Sequence, residues 1–176
     1  LKKEAKGATF DEVKSNANLI WNQMLSRIKV EGGDSLNIVK FYTGLYHALL
    51  GRGVSSDCNG QYPQVDGKIG QIPLDQNGIP THKHYNTDGM WGGFWNLSQL
   101  WALVYPEHFS DYIQSNIDYF KDRGWLHDGE ANGVYTNGVQ TNVQGLLIAS
   151  AYHCGIRDFD VQSGYQAALK NEMQYE

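Results

Sequence analysis

Carboxylates are the residues of this sequence best suited to acid–base chemistry. They lie in or beside Gly-, Asn- and Asp-rich segments, at Asp57, Asp66, Asp75, Asp88, Asp128 and Glu130. Two carboxyl groups across a pocket, one protonated and one ionised, can cleave a glycosidic bond. The sequence does not pair any two of them, and for each alone a turn or a helix cap is the expected role, as for Asp66 and Asp88. They are therefore candidates without an assigned partner.

Histidine and cysteine give weaker signals. His82 and His84 alternate, so on a strand they would share a face as metal ligands do, but no third ligand has a matching spacing. A solvated loop is therefore the expected interpretation. Cys58 and Cys154 could form one disulfide or remain as two free thiols, and the sequence favours neither. Neither cysteine has metal-ligand spacing with a histidine.

Tryptophans offer a different chemistry, which is stacking on sugars. Most of the aromatic residues between positions 91 and 101 are expected to be core, because they recur at helical spacing. Trp91 and Trp95 are one helical turn apart and follow the longest loop. At the rim of a pocket they would stack on the apolar C–H face of a sugar.

The elements that must position these residues are helices. Apolar periodicity predicts six of them, beginning near positions 9, 34, 88, 106, 139 and 160. Thr9 and Glu12 form a capping-box pattern, and Asp34 is the expected cap of the second helix. The segments 88–104 and 139–154 are apolar on nearly all sides, so we expect them to be buried inner helices.

The segment 53–87 has no sustained period and contains three of the four prolines. Irregular segments longer than about 12–15 residues are uncommon in compact domains unless they bind something or are disordered. This segment contains too many apolar residues for disorder, so we expect an ordered, functional loop with a short hairpin. A second loop covers 125–137, and long loops before buried helices predict a helical toroid with its loops over a central pocket.

Composition limits the possible partners. The 176 residues suit one domain, and the net charge of −5 argues against nucleic acid, which requires clustered Lys and Arg. No apolar run approaches the roughly 20 residues of a membrane span. Charged residues are only 19%, whereas Gly (20 residues) and Tyr (11 residues) are abundant. This balance is typical of surfaces that meet neutral polar ligands.

Several strings, spread over nearly the whole chain and in family order, resemble glycoside hydrolase family 92, the calcium-dependent exo-acting α-mannosidases. They are FYTGLYH at 41–47, SDCNGQY at 56–62, VDGKI at 65–69, GWL at 124–126, ANGVYTN at 131–137 and GIRDFDV at 155–161. The resemblance implies that residues 1–176 are part of an (α/α)6-barrel catalytic domain, an all-α toroid of helical hairpins with the irregular loop 53–87 over its pocket.

The resemblance also implies an activity. It implies inverting hydrolysis of α-mannosides or related glycans by a secreted protein, extracellular or periplasmic, with Ca²⁺ bound in the intact enzyme. The acid, base and calcium ligands of the family are expected downstream of residue 176. No residue of this chain is therefore predicted to be catalytic or metal-binding, and the fragment alone is expected to be inactive.

This sequence departs from the family pattern after the long loop. Where the family usually has Trp-Asp-Thr, an aromatic residue and Arg, it has Trp91, Gly92, Gly93, Phe94 and Trp95. A sugar-facing acid and an Arg are missing, which predicts divergent specificity, with Asp88 as a substitute carboxylate. The residues predicted to contact substrate are Asp66, Tyr85, Asp88, Trp91 and Trp95.

Two alternatives stay open at this point. One is a non-catalytic homologue that holds glycan without cleaving it, and the other is a helical scaffold without a ligand. The predicted partners are a glycan and the rest of the parent chain, with no nucleic acid and no membrane span. An incomplete toroid leaves apolar helix faces uncovered, so we expect the fragment to self-associate.

Overall fold

The computed structural model describes residues 2–50, 52–127, 129–135 and 142–174. The chain divides into two compact units, Leu1–Gly51 and Arg52–Glu176. Helices dominate both units, and the strands form two small antiparallel hairpins. The predicted predominance of helices is therefore confirmed.

The first unit is a helical hairpin preceded by a single turn of helix. Its elements are α1 (Lys2–Ala5), α2 (Phe10–Leu25) and α3 (Ser35–Leu50). The predicted capping box is present, because the Glu12 N–H donates to Thr9 Oγ1 at 3.3 Å and the Thr9 N–H donates to Glu12 Oε2 at 2.7 Å. The Asn37 N–H donates to Asp34 Oδ1 at 2.8 Å, which confirms the predicted cap of α3.

Few apolar side chains of this hairpin are buried within it. Leu45 is the buried residue of α3, and α2 has none. The rings of Trp21 and Tyr46 join the two helices with their centroids 4.5 Å apart. Phe10, by contrast, is 79% exposed. The hairpin therefore carries more apolar surface than it covers by itself.

The second unit holds the remaining elements. Strands β1 (Gln61–Pro63) and β2 (Ile69–Gln71) flank a 3-10 turn at Val65–Gly67. They are followed by α4 (Met90–Gly93), α5 (Leu97–Val104), α6 (Pro106–Arg123), β3 (Glu130–Ala131), β4 (Val134–Tyr135), α7 (Val143–His153) and α8 (Val161–Met173). Among the helices that the structure describes, none has the length and apolarity needed to cross a bilayer.

Helix α6 is the most deeply buried element of this unit. Pro106 occupies its first turn, and Gly124, at φ +86°, ends it in the left-handed conformation that glycine adopts readily. Its buried side chains are both apolar, such as Phe109 and Ile113, and polar, such as Asn116. Apolar periodicity alone does not reveal this burial, because it does not detect a face that is buried through polar groups.

The predicted inner helix at 88–104 is wrong in this structure. The segment forms two short helices, α4 and α5, which residues 94–96 separate. Gly92 and Gly93 weaken the helix there, since each glycine costs about 1 kcal/mol relative to alanine. Leu103 is also 82% exposed, so α5 is buried on one face only. The predicted helix at 139–154 begins at Val143, and residues 139–141 lie outside the described part of the chain.

Helices α7 and α8 pack against each other and against α6. Gly164 of α8 permits this close approach, because a Cβ there would lie 3.0 Å from Ile148 Cγ2 and 3.3 Å from Ile117 Cδ1. Asp160 caps the start of α8, because its Oδ1 accepts from the Ser163 N–H at 3.0 Å. Its hydrogen bond with Lys121 Nζ, and then those with Ser163, lower the pKa of the Asp160 carboxyl to about 2.

The end of α6 is fixed by α8. Lys170 Nζ donates to the Gly124 carbonyl oxygen at 2.7 Å and lies over the Trp125 ring, 4.3 Å from its centroid. Asn171 accepts from the Leu126 N–H at 3.1 Å and donates to the Leu126 carbonyl at 2.8 Å. These contacts set where the chain leaves α6 for the β3–β4 hairpin.

Candidate functional site

The loop 53–87 is anchored along one stripe of α6. Asp118 Oδ2 lies 2.8 Å from His82 Nε2, and both side chains are largely buried. One turn further on, Asp122 accepts from the Tyr62 hydroxyl at 3.1 Å and from Gln64 Nε2 at 2.5 Å. The predicted order of this loop is therefore confirmed, and its β1–β2 hairpin matches the short hairpin that the sequence indicated.

Burial alters the acidity of two carboxyl groups on this stripe. Burial raises the pKa of Asp122 and also that of Asp111, which accepts from the Lys83 N–H at 3.3 Å. A raised carboxyl pKa is a property of a general acid. Both carboxyl groups are engaged by the loop, however, so in this structure they serve to anchor it.

The two alternating histidines have different surroundings. His82 pairs with Asp118, whereas the fully buried His84 ring stacks on Tyr62 with centroids 4.1 Å apart. Ser55 Oγ lies 2.8 Å from His84 Nδ1. Desolvation by burial lowers the pKa of His84 to about 4, so it is neutral at pH 7. The prediction of a solvated loop is wrong for His84, because tertiary packing encloses it.

In the described part of the chain, acidic side chains do not cluster as calcium ligands do. Ca²⁺ takes six to eight oxygen ligands, mostly from carboxylates and carbonyls. Among the residues that the structure describes, no group of three or more His, Cys, Asp or Glu side chains could hold a metal ion. The described residues therefore do not fit a calcium site. Both cysteines, Cys58 and Cys154, are exposed free thiols.

Two of the predicted substrate contacts are exposed aromatic rings. Trp91, in α4, is 51% exposed, and Trp95, which follows α4, is 75% exposed. Exposed indole faces are able to stack on a sugar ring. Asp88 is exposed just before Gly89, whose carbonyl accepts from Arg52 Nη2. The structure gives α4 no side-chain cap, so the interpretation of Asp88 as a helix cap is wrong.

The other two predicted contacts lie elsewhere in the loop. Asp66 is exposed in the 3-10 turn and has φ +63°. Tyr85 is buried, its N–H donates to Ser115 Oγ at 2.9 Å, and its ring lies edge-on to that of His108 at 4.6 Å. Tyr85 is thus a core residue here, and its contact with substrate stays a prediction.

The ion pair of Glu130, one of the candidate carboxylates, is a feature that sequence reasoning missed. Glu130 is fully buried, and Arg123 Nη1 donates to its Oε1 at 2.7 Å. Its backbone carbonyl accepts from the Thr87 N–H at 2.8 Å, which joins the β3–β4 hairpin to the end of the loop 53–87. The sequence signal for this pair was Arg123, seven residues earlier on a predicted helix. Only the folded structure, however, brings Arg123 next to Glu130.

Between the two hairpins lies an open groove of about 420 Å³. One wall is the β1–β2 hairpin with its turn, and the other is the turn between β3 and β4 at Asn132 and Gly133. Its lining mixes carboxamides, one carboxylate, one ammonium group and apolar side chains. Asp66 immediately precedes Gly67 and Lys68 in the chain, and both of these line the groove.

Comparison with known families identifies the chain. The profile of the glycosyl hydrolase family 92 catalytic domain matches residues 1–176. The chain belongs to glycoside hydrolase family 92. The resemblance read from the sequence strings is therefore confirmed. A comparison with curated protein sequences gave no match.

Solved structures of family 92 proteins share this fold. The α-mannosidase BT3965 from Bacteroides thetaiotaomicron superposes with a TM-score of 0.87 at 20% identity, over 99% of this chain and 23% of that one. The inverting mannosidase BT2199 from the same organism gives 0.84 at 23% identity, over 99% and 23%. The family 92 hydrolase ccman5 gives 0.73 at 23% identity, over 96% and 22%. This chain thus spans about a quarter of the length of these relatives.

Proposed function

We propose that the protein containing this family 92 chain is an α-mannosidase-like glycoside hydrolase acting on α-mannosides or related glycans. The observation that carries the proposal is the family match over residues 1–176. Two structural relatives support it, since BT3965 is an α-mannosidase known in complex with mannoimidazole and BT2199 is an inverting mannosidase. We extend the inverting mechanism to this protein on that basis.

The proposal also covers where the catalytic residues lie and in which compartment the protein acts. Inverting hydrolysis uses one carboxylic acid to protonate the leaving oxygen and one carboxylate to activate water. We place that acid and base outside residues 1–176, so the fragment alone is inactive. We further propose that the intact protein binds Ca²⁺ and is extracellular or periplasmic.

The same proposal covers the architecture. Helices α5, α6, α7 and α8 contact one another in chain order, as successive hairpins of a helical ring do. We therefore propose that residues 1–176 form part of an (α/α)6 barrel, with the loop 53–87 over its pocket. In that pocket Trp91 and Trp95 stack on sugar faces, and Asp66 and Asp88 accept hydrogen bonds from hydroxyls. Tyr85 is retained in the proposal as a further substrate contact.

A second function has a specific observation in its favour. Gly92 stands where the family usually has an acid, while the flanking Trp91 and Trp95 are both exposed. Such a surface stacks on sugars but lacks one polar partner for their hydroxyls. It suits a homologue that binds glycan without cleaving it.

One set of measurements separates the two functions. The intact protein should be much heavier than 19.8 kDa and should release monosaccharide from α-mannosides, with a loss of release when a calcium chelator is added. Binding without release favours the second function. Asp88→Asn should slow turnover at least tenfold, because the acceptor of a sugar hydroxyl loses its negative charge. Asp158→Asn, at another exposed aspartate, should not. Equal turnover in both variants removes Asp88 from the site.

A further inference from the structure

The groove between the two hairpins is built rather than incidental. Gly133, at φ +73°, packs so closely that a Cβ there would lie 2.3 Å from the Gln64 carbonyl oxygen. The Asn132 N–H donates to Asn86 Oδ1 at 2.9 Å, which ties this wall to the end of the loop 53–87. The opposite wall is fixed to α6 through the hydrogen bonds of Tyr62 and Gln64 with Asp122. Both walls are therefore held in place before any ligand arrives.

The groove presents one group of each charge. Asp57 and Lys68 both line it and are exposed, and neither forms an ion pair within the described part of the chain. Gln61 Oε1 accepts from Asn59 Nδ2 at 3.0 Å, which leaves its amide N–H groups as donors. A ligand with many neutral hydroxyls can bind all three groups at once: the Asp57 carboxylate as acceptor, the Lys68 ammonium group as donor and the Gln61 carboxamide as donor. An anionic ligand would face the Asp57 carboxylate, so the lining disfavours it.

Apolar side chains complete the lining. Ile69 is 70% exposed on one wall, and Val134 is 65% exposed on the other. Exposed β-branched side chains opposite each other provide an apolar surface for the C–H face of a pyranose. A sugar ring needs two kinds of partner. Its hydroxyls pair with polar groups, and its C–H face packs on an apolar surface, so a site that binds it offers both side by side.

We propose that this groove binds a hexopyranose unit of the glycan, with Lys68 donating to its hydroxyls and Asp57 accepting from them. The inference rests on the proposed function, because the ligand is taken to be the glycan that the intact protein recognises. Lys68 is two residues from Asp66 in the chain, so the groove adjoins the contact proposed above for Asp66. The volume of about 420 Å³ suits one or two sugar rings.

The test is calorimetric titration of the intact protein with a thio-linked α-mannobiose, which resists hydrolysis. Lys68→Met and Asp57→Asn should each raise the Kd at least tenfold, since each removes one charged hydrogen-bonding group. Both residues are exposed, so neither change threatens folding. Gln76→Ala, in the same loop but outside the groove, is the matched control and should bind as the parent does.

The outcomes separate the groove from the function. Weaker binding in both variants, with the control unchanged, supports the groove. Parental affinity in Lys68→Met and Asp57→Asn, in a protein that still releases sugar, overturns the groove and leaves the hydrolase standing. A parent protein that neither binds the thio-disaccharide nor releases sugar from any α-mannoside overturns the proposed function, and the groove proposal with it.

Discussion

At the scale of single residues, two buried histidines make the second unit sensitive to acid. Desolvation by burial lowers the pKa of both His84 and His108 to about 4. The His108 ring packs edge-on against Tyr85 and Trp101, with centroids 4.6 Å away in each case. A neutral imidazole suits this aromatic enclosure, and a charged one does not.

Acid should therefore destabilise the protein through His108. Its folded pKa of about 4 lies below the unfolded value of 6.5, so the unfolded chain takes up the proton first. The stabilisation is complete above about pH 6.5 and declines as the pH falls towards 4, by about 2 kcal/mol at pH 5. His108→Phe, which keeps an aromatic ring without a titrating group, should lose less stability between pH 7 and pH 5 than the parent.

The measurement is the apparent midpoint of thermal unfolding of the intact protein at both pH values. His153→Gln changes an exposed histidine and is the control, which should lose as much stability on acidification as the parent. An equal pH dependence in His108→Phe and the parent would show that His108 is not charged on unfolding.

At the scale of elements, the two hairpins hold each other through a glycine. The β1–β2 hairpin encloses the 3-10 turn at Val65–Gly67, and the β3–β4 turn is pressed against the carbonyl of Gln64 just before it. Gly133 has φ +73°, a conformation that glycine adopts readily. Its lack of a side chain also allows the close contact with Gln64. A single position thus sets the spacing of the two walls.

Gly133→Ala should separate the hairpins. The left-handed conformation alone costs about 1 kcal/mol for alanine. A Cβ 2.3 Å from a backbone oxygen also forces the wall to move, which adds about 1–3 kcal/mol. Gly78→Ala is the matched control, because Gly78 has φ +75° but no atom within 4 Å of the Cβ position.

Thermal unfolding and limited proteolysis of the intact protein check this prediction. The loop 53–87 should be cut faster in Gly133→Ala than in Gly78→Ala. Equal midpoints and equal cutting rates in the two variants would mean that the close contact with Gln64 does not hold the hairpins together.

At the scale of the whole molecule, uncovered apolar surface is the main feature of each unit. In the first unit α2 buries no side chain. In the second unit Leu103 of α5 is 82% exposed and Trp95 is 75% exposed. Large exposed apolar surfaces of this kind are usually covered by a partner protein or by another part of the same protein. This agrees with a chain that spans only about a quarter of its structural relatives.

Residues 1–176 expressed alone should therefore self-associate. The sedimentation coefficient should rise with concentration, because exposed apolar side chains are removed from water on association. Phe10→Ser combined with Leu103→Ser should weaken this association, since it removes two of the most exposed apolar side chains. A parent fragment that sediments as a monomer at high concentration would contradict the prediction.

Local features were predictable because their causes are local. The Thr9–Glu12 capping box, the Asp34 cap, Pro106 at the start of α6 and Gly124 at its end depend on neighbours within a few residues. The strings shared with family 92 were equally readable, because a family pattern is carried by residue types in order. The helix at 88–104 failed because two glycines and tertiary packing outweighed its apolar periodicity.

The sequence by itself therefore determined most of the helices, the caps of α2 and α3, the ordered loop and the family. Only the tertiary structure decided which side chains meet, as Glu130 with Arg123 and His82 with Asp118. It alone also decided that Asp57 and Lys68 line one groove. The physical reason is the range over which each kind of interaction acts. Backbone hydrogen bonds and caps act over three or four residues, whereas desolvation and charge pairing depend on distances in space that the chain sets only once it has folded.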